Sequence, residues 1–438
     1  MSFFKFTFAV LLPVLLAGCS SHSPVAVFPG ISHLDRVWQD DTGALYSALQ
    51  NSGGEFVVHE PATGSFYFYR REHGADAIQS RPADAPAISR SGQALLLGEK
   101  TLRPAPVAAR EVQFENRGVT FYGVLSVPRN REGKVPVIVN THGSEQSSAV
   151  SADPAAAWYT DAGFATFIFD KRGTGRSGGS YTHDFDLLAS DLEAAVARIA
   201  MDPDIDSGLI GVGGFSQGVF VATLAASRNK EISFLIAGYG VMEPPIREDF
   251  LETRLHFQAN YPQADWQEFS ALVLACEQAF ALRDSSRWRD VSVYRRRWKG
   301  RIEPAALAGT LTGDGCLRWP PFALRLVGDS QFPPGLDWSF DPAPLMTELG
   351  IPVLFQYGEA DEDAPPDTSV AMVRNWIDAG KPFTLFTYPG AVHGVYLLAS
   401  DSSGRPYRYK SPEYIADLVR WLTALGGRFK LETRAGLP

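Results

Sequence analysis

The sequence has few residues of the kinds that hold metals and nucleotides. Its 438 residues include three cysteines and eight histidines, and neither an H-E-x-x-H motif nor a paired-cysteine spacing occurs. The glycine-containing segment at residues 173–175 lacks the lysine and the third glycine of a nucleotide-binding loop. The sequence therefore predicts no cofactor and no bound metal.

Positive charge and long apolar segments are also scarce. The chain carries 40 Lys and Arg residues against 49 Asp and Glu residues, a formal net charge of -9. Nucleic-acid binding needs a dense basic surface, so this balance argues against a nucleic-acid partner. Beyond the N-terminal segment, no apolar stretch of the sequence is long enough to cross a membrane.

The N-terminal segment is typical of an export signal. Lys5 precedes an apolar run at residues 6–16, which has the length of a signal-peptide core and is too short for a spanning helix. The sequence Leu-Ala-Gly-Cys at residues 16–19 resembles the lipobox of bacterial lipoproteins. The resemblance implies that residues 1–18 are cleaved, that Cys19 carries a lipid and, from Ser20, that the protein lies on the periplasmic side of the outer membrane. An ordinary signal peptide with a chance cysteine is the alternative.

The remaining chain divides by its patterning. Residues 19–33 are rich in Ser and Pro and fit a tether. Residues 34–106 hold short alternating segments between glycine-containing turns, which predict a small antiparallel β unit. In residues 107–438, apolar strands alternate with helices, which predicts an α/β fold with a mostly parallel sheet and helices on both faces. The alternation stops at about residues 241–349, which we interpret as an inserted, mainly helical cap.

Two cysteines remain after Cys19, namely Cys276 and Cys316. In an exported protein such a pair can form a disulfide. Two buried free thiols are an equal alternative. Neither cysteine stands near a histidine-containing motif that would mark it as a nucleophile.

A serine between glycines marks the most informative stretch. Residues 214–218 read Gly-Phe-Ser-Gln-Gly and match G-x-S-x-G, with an apolar strand before them and a helix of small and apolar residues after them. Small flanking residues let the backbone turn sharply and lift the hydroxyl of Ser216 out of the sheet. This setting predicts a nucleophile, and a serine in an ordinary turn is the alternative.

A serine nucleophile needs a base and a carboxylate that orients the base. Asp361 follows one late apolar strand and His393 follows the next. Both are therefore expected at the carboxyl edge of a parallel sheet, where ligand sites gather. We predict a triad of Ser216, His393 and Asp361. Alternatives for the base are His183 and His256, and alternatives for the carboxylate are Glu359, Glu362, Asp363 and Asp367.

Five motifs in this order resemble the α/β-hydrolase superfamily, close to dienelactone hydrolases, serine aminopeptidases and the catalytic domain of prolyl oligopeptidases. They occupy residues 141–144, 169–177, 214–218, 357–361 and 393–394. The resemblance covers about residues 112–425 and implies an acyl-enzyme mechanism. It also implies an oxyanion hole formed by the backbone N–H groups of Gln217 and Ser144.

The combined prediction is an exported, lipid-anchored serine hydrolase that cleaves a carboxylic ester or thioester. Its expected partners are a small ester or peptide substrate and, through the lipid, a membrane. Aminopeptidase-like cleavage of short peptides is the second hypothesis, because a triad alone does not separate ester from amide hydrolysis. A hypothesis from another class is an envelope lipoprotein that binds a ligand without catalysis.

Overall fold

The computed structural model describes residues 27–28, 31–71, 78–131, 133–320, 322–323 and 334–435. The predicted signal peptide, Cys19 and most of the predicted tether lie outside these residues. Within the described ranges, no helix combines the length and the apolar character needed to cross a membrane.

Antiparallel strands form the first sheet. They are β1 Val37–Gln39, β2 Leu45–Gln50, β3 Phe56–Glu60, β4 Ser65–Arg71, β5 Ile78–Arg81, β6 Ile88–Ser91, β7 Ala94–Leu97 and β8 Lys100–Pro104. Their spatial order is β5-β4-β3-β2-β1-β8-β7-β6. Alternation along the strands directs Trp38, Phe56 and Val58 into one buried cluster, because successive side chains of a strand point to opposite faces.

A second sheet of eight strands follows in the chain. It contains β9 Val107–Asn116, β10 Val119–Pro128, β11 Val135–Thr141, β12 Ala165–Phe169, β13 Ile205–Phe215, β14 Ile232–Gly238, β15 Val353–Gly358 and β16 Phe383–Tyr388. The spatial order is β16-β15-β14-β13-β11-β12-β10-β9. The pairs β9–β10 and β10–β12 are antiparallel, and the pairs from β12 across to β16 are parallel. The parallel strands therefore end at one common edge.

Helices cover both faces of the second sheet. The described α-helices are α1 Ala155–Asp161, α2 Phe185–Ala200, α3 Gly218–Arg228, α4 Pro245–Asn260, α5 Trp266–Phe280, α6 Trp288–Trp298, α7 Ala343–Glu348, α8 Asp367–Asp378 and α9 Pro412–Ala435. Helices α2, α3 and α8 bury their apolar faces in one cluster, and α1 and α9 bury theirs in a second. The α/β architecture predicted from the alternation is confirmed.

The central strands are mostly apolar because both faces of the sheet are covered. Val137, Ile138 and Val139 are successive residues of β11, and none of them is exposed. In a sheet with one solvated face, every second residue would be polar. Burying each such side chain contributes on the order of 2 kcal/mol relative to an exposed position.

The chain leaves the sheet between β14 and β15 and forms α4 to α7. This insertion has its own aromatic core, in which the rings of Phe257 and Phe269 stack with centroids 4.3 Å apart and Trp298 packs edge-on against both. A disulfide joins Cys276 of α5 to Cys316. Of the two alternatives for this pair, the structure therefore has the disulfide.

A short hairpin follows His393 and joins it to the first sheet. Its strands are β17 Tyr396–Ser400 and β18 Pro406–Lys410. The backbone N–H of Lys410 donates to the carbonyl of Gly64 at 2.8 Å. Gly64 has a φ of +69°, and a Cβ there would lie 1.7 Å from the Lys410 carbonyl oxygen, so only glycine allows this approach. The first sheet thus helps to fix the segment that carries His393.

Candidate active site

Ser216 lies in a sharp turn between β13 and α3. Its φ is +52°, a left-handed conformation that is unfavourable for a residue with a side chain and that directs the hydroxyl away from the sheet. The turn depends on the flanking glycines. A Cβ on Gly214 would lie 2.4 Å from the Gly218 carbonyl oxygen, and a Cβ on Gly218 would lie 2.6 Å from that of Thr141.

The structure brings Ser216, His393 and Asp361 into one hydrogen-bonded line. His393 Nε2 lies 3.1 Å from Ser216 Oγ, and His393 Nδ1 lies 2.9 Å from Asp361 Oδ2. The second oxygen of Asp361 accepts hydrogen bonds from the backbone N–H groups of Asp363, at 3.0 Å, and Ala364, at 2.8 Å. Asp361 is 4% exposed, so these hydrogen bonds hold its carboxylate away from water. The arrangement can move a proton from the serine hydroxyl to the imidazole.

The electrostatic surroundings of His393 favour its protonated form. Burial acts to lower the pKa of His393, but the charge and hydrogen bond of Asp361, with smaller contributions from Asp363 and Glu248, outweigh it and raise the pKa above the ordinary value of 6.5. The ring of Tyr239 packs edge-on against the imidazole with centroids 5.3 Å apart. An imidazole held in this way is suited to accept a proton and to be stabilised as imidazolium.

The two predicted oxyanion donors flank Ser216. Gln217 is the next residue in the turn, and Ser144 belongs to the loop after β11. A Cβ on Gly143 would lie 3.2 Å from Ser216 Cβ, so the peptide that leads into Ser144 passes directly beside the nucleophile. Neither of these two backbone N–H groups has an acceptor among the described residues. Both are free to donate to a ligand.

A comparison of the sequence with protein-family profiles finds a match that includes Ser216. A profile of the X-Pro dipeptidyl-peptidase (S15) family matches residues 118–308, less than half of the chain. The matched segment contains the turn at Ser216, and Asp361 and His393 follow at the ends of β15 and β16. The chain belongs to the α/β-hydrolase superfamily. A comparison with curated proteins finds no match.

Several solved structures resemble this α/β-hydrolase at low identity. A puromycin-hydrolysing peptidase of Mycobacterium tuberculosis aligns over 85% of this chain and 46% of its own, with 12% identity and a TM-score of 0.47. The esterase Est1E of Butyrivibrio proteoclasticus, with ferulic acid bound, aligns over 74% and 99%, with 17% identity and a TM-score of 0.42. An esterase of Pyrococcus furiosus aligns over 74% and 92%, with 18% identity and a TM-score of 0.41.

The residues that the sequence offered as alternatives to His393 and Asp361 make other contacts. His183 Nδ1 contacts the side-chain amide of Gln217, and burial lowers the pKa of His183 to about 3. His256 lies on α4 in the insertion. Glu359 accepts a hydrogen bond from Thr387 at 2.7 Å. Among the described residues, the imidazole at Ser216 is that of His393.

Two side chains hold the loop after β11 that contains Gly143 and Ser144, here called the oxyanion loop. Neither of them was identified from the sequence. Lys171 donates from Nζ to the carbonyl of Gly143, and Tyr181 donates from its hydroxyl to the carbonyl of Ser144. His142 lies 3.5 Å from Glu145 in the same loop, and burial lowers the pKa of this histidine. Lys171 falls within the motif at residues 169–177, but a lysine in a loop carries no pattern that identifies a carbonyl as its partner.

Two carboxylates of the insertion were also missed. Glu248 lies on α4, close enough to His393 and Asp361 to interact with both charges, and burial raises its pKa to about 8. Glu252 follows one turn later, and burial raises its pKa as well. The two positions are neighbours on one helix face, since residues four apart are adjacent. Both carboxyl groups interact electrostatically with Asp361.

A cavity of about 230 Å³ lies next to the oxyanion loop. Its walls include Gly143, Phe215, Tyr239, Tyr396 and Lys410. The Nζ of Lys410 donates to the carbonyl of Gly394, the residue after His393.

The described residues hold no group of three or more His, Cys, Asp or Glu side chains suited to bind a metal ion.

Proposed function

We propose that this protein is a serine hydrolase that cleaves a carboxylic ester or thioester through an acyl-enzyme. The observation that carries the proposal is the hydrogen-bonded line from Asp361 through His393 to Ser216, with Ser216 held at a positive φ. A binding protein would have no need of an imidazole between a strained serine and a buried carboxylate. Strain of this kind costs about 1–3 kcal/mol and persists where the structure uses it.

The proposed reaction has two halves. In the first, Ser216 Oγ attacks the substrate carbonyl carbon, His393 Nε2 takes the hydroxyl proton, and the N–H groups of Gln217 and Ser144 stabilise the oxyanion. The carbon–leaving-group bond then breaks as His393 returns the proton to the leaving oxygen or sulfur. In the second half, water attacks the acyl-enzyme, His393 takes its proton, and the carboxylic acid leaves as Ser216 is reprotonated.

An ester or thioester is the first candidate because its leaving group departs more readily than an amine. Cleavage of an amide at the amino end of a short peptide is the second candidate, and a specific observation favours it. Burial raises the pKa of both Glu248 and Glu252, and a nearby cation would favour the charged form of each carboxyl group. The ammonium group of a peptide substrate would supply that cation. The S15 profile match points in the same direction.

We also propose that the protein is exported and held at the membrane by a lipid on Cys19. This residue lies outside the described part of the chain, and the proposal rests on the sequence of residues 1–20. A lipid would place the enzyme in the cell envelope without any spanning helix.

A panel of substrates tests the proposed chemistry. The mature protein and its Ser216→Ala variant are assayed on p-nitrophenyl esters, an acyl thioester, aminoacyl-p-nitroanilides and the same anilides with an acetylated amine. Turnover that requires Ser216 supports the acyl-enzyme, and preference for the esters supports the first candidate. Preference for free-amine anilides over acetylated ones, lost in Glu248→Gln with Glu252→Gln, supports the second. Absence of Ser216-dependent turnover on every substrate contradicts the proposal and favours a binding protein.

A further inference from the structure

Lys171 is a buried cation whose partner is a carbonyl group. Its side chain follows β12 and is 3% exposed, and its Nζ donates to the Gly143 carbonyl oxygen. No carboxylate of the described residues lies within ion-pair distance of it. A buried ammonium is costly unless it is paired. The burial of this ammonium group therefore does not by itself stabilise the fold.

The carbonyl that Lys171 contacts belongs to the peptide unit that carries the Ser144 N–H. In a trans peptide the C=O and the following N–H are coplanar and point in opposite directions. Fixing the Gly143 oxygen on the Lys171 side therefore fixes the direction of the Ser144 N–H as well. Since Gly143 passes beside Ser216, this peptide is the one that must be oriented for an oxyanion formed at Ser216.

A second contact holds the next peptide unit. The Tyr181 hydroxyl donates to the Ser144 carbonyl, so the peptide groups on both sides of Ser144 are anchored. The Tyr181 ring also lies against the ammonium, with Lys171 Nζ 5.1 Å from the ring centroid. This cation–π contact compensates part of the cost of burying Lys171.

The charge of Lys171 adds to the effect of its position. A cationic donor makes a stronger hydrogen bond than a neutral one, and it polarises the peptide so that the N–H on the other side becomes a better donor. Burial lowers the pKa of Lys171 to about 8, against the opposing attraction of Glu145. The side chain therefore still carries its charge over much of the neutral range.

We infer that Lys171 is a positioning residue for the oxyanion site, which it serves by anchoring and polarising the Gly143–Ser144 peptide. The inference rests on the proposed function, because it assumes that an oxyanion forms beside Ser216. It extends that function by assigning a role to a residue that does not touch the substrate.

Three variants of the full mature protein test the inference. Lys171→Met removes the charge and the donor but keeps an unbranched side chain, and Lys171→Arg restores a cationic donor. Lys381→Met is the matched control. Lys381 Nζ also donates to a backbone carbonyl, that of Leu349 at 3.4 Å, but it lies where the parallel strands begin and Ser216 lies where they end. Each variant is assayed for kcat and KM on the best substrate and for inhibition by a trifluoromethyl ketone, which forms a tetrahedral oxyanion with the serine.

Loss of an oxyanion donor lowers kcat by about 10²–10³-fold, and a misdirected donor should cost less, so we expect Lys171→Met to lower kcat by about 10–100-fold. KM should change by less than about threefold, because the interaction strengthens only in the transition state. The inhibition constant of the ketone should rise with the fall in kcat. Lys171→Arg should recover part of the loss, and Lys381→Met should behave as the unsubstituted protein.

Several results overturn the inference. A Lys171→Met enzyme with unchanged kcat, a loss confined to KM, or an arginine variant no better than methionine would each do so. If Lys171→Met does not fold, as judged by its melting temperature, Lys171→Gln replaces it. That variant removes the charge that acts on the Gly143 carbonyl but keeps a polar side chain, and unchanged kcat and ketone inhibition would then overturn the inference. An unsubstituted protein without Ser216-dependent turnover removes the proposed function and this inference together, whereas an active one unaffected by the substitutions removes the inference alone.

Discussion

Replacing Asp361 with asparagine should reverse the tautomer of His393. The Oδ1 atom of Asp361 accepts hydrogen bonds from two backbone N–H groups, of Asp363 and Ala364, and its Oδ2 faces His393 Nδ1. An asparagine in this site would direct its carbonyl oxygen to the two N–H groups and its NH₂ to the imidazole. His393 Nδ1 would then have to accept, and the proton would move to Nε2. In that state Nε2 cannot take the proton of Ser216.

The expected loss is large because base catalysis and imidazolium stabilisation are removed together. General-base catalysis contributes about 10²–10⁴-fold, and loss of the triad carboxylate reaches about 10⁴-fold in a serine protease, so we expect kcat to fall by about 10³–10⁴-fold. The pKa of His393 should also fall, since burial alone lowers it and Asp361 is the largest opposing influence. The pH at which the remaining activity falls on the acid side should therefore be lower than in the unsubstituted enzyme.

The assay is steady-state hydrolysis by the Asp361→Asn enzyme over a range of pH, with Glu359→Gln as the control. Glu359 lies in the same loop but is exposed and bonded to Thr387, so its substitution should change kcat by less than about threefold, as for most surface positions. An Asp361→Asn enzyme that keeps a tenth of the activity or more would refute the role given to Asp361.

Three further predictions follow from the described contacts and from the sequence. The kcat/KM of the unsubstituted enzyme should be lost as the pH falls through a midpoint above 6.5, because only neutral His393 can accept a proton and its pKa is raised; a midpoint below 6.5 would contradict this. Replacing Cys276 and Cys316 with serine should lower the free energy of unfolding by up to about 4 kcal/mol, because the disulfide closes a loop of 40 residues and restricts the unfolded chain. Urea denaturation measures this change, and an unchanged midpoint would count against the disulfide. Cys19→Ala should move the expressed protein from the membrane fraction to the soluble one; retention in the membrane would contradict lipid anchoring.

The sequence predicted the parts of the site that depend on local chain direction. An apolar strand followed by a glycine-flanked serine already contains the sharp turn, and Ser216 has the positive φ that this turn requires. Asp361 and His393 each follow a strand of a parallel sheet, and such strands end at one edge. The three residues were therefore predictable neighbours even though Ser216 and His393 lie 177 positions apart in the chain.

The sequence did not predict contacts that depend on how distant segments pack. Lys171 and Gly143 come together only because two strand-end loops of the sheet meet. Glu248 interacts electrostatically with His393 and Asp361 across a large sequence separation, and the weak amphipathic pattern of α4 gives no sign of this. The pairing of Cys276 with Cys316 stayed open for the same reason, since a sequence contains no distances.

The most direct test of the proposed mechanism is covalent labelling of the mature protein with a fluorophosphonate, followed by mass spectrometry of its peptides. The triad account predicts one adduct per chain, on the peptide that contains Ser216, and no adduct in Ser216→Ala. It also predicts that Asp361→Asn labels far more slowly, because the serine is no longer activated. Stoichiometric labelling at another serine, or equal labelling of the Ser216→Ala protein, would contradict the account.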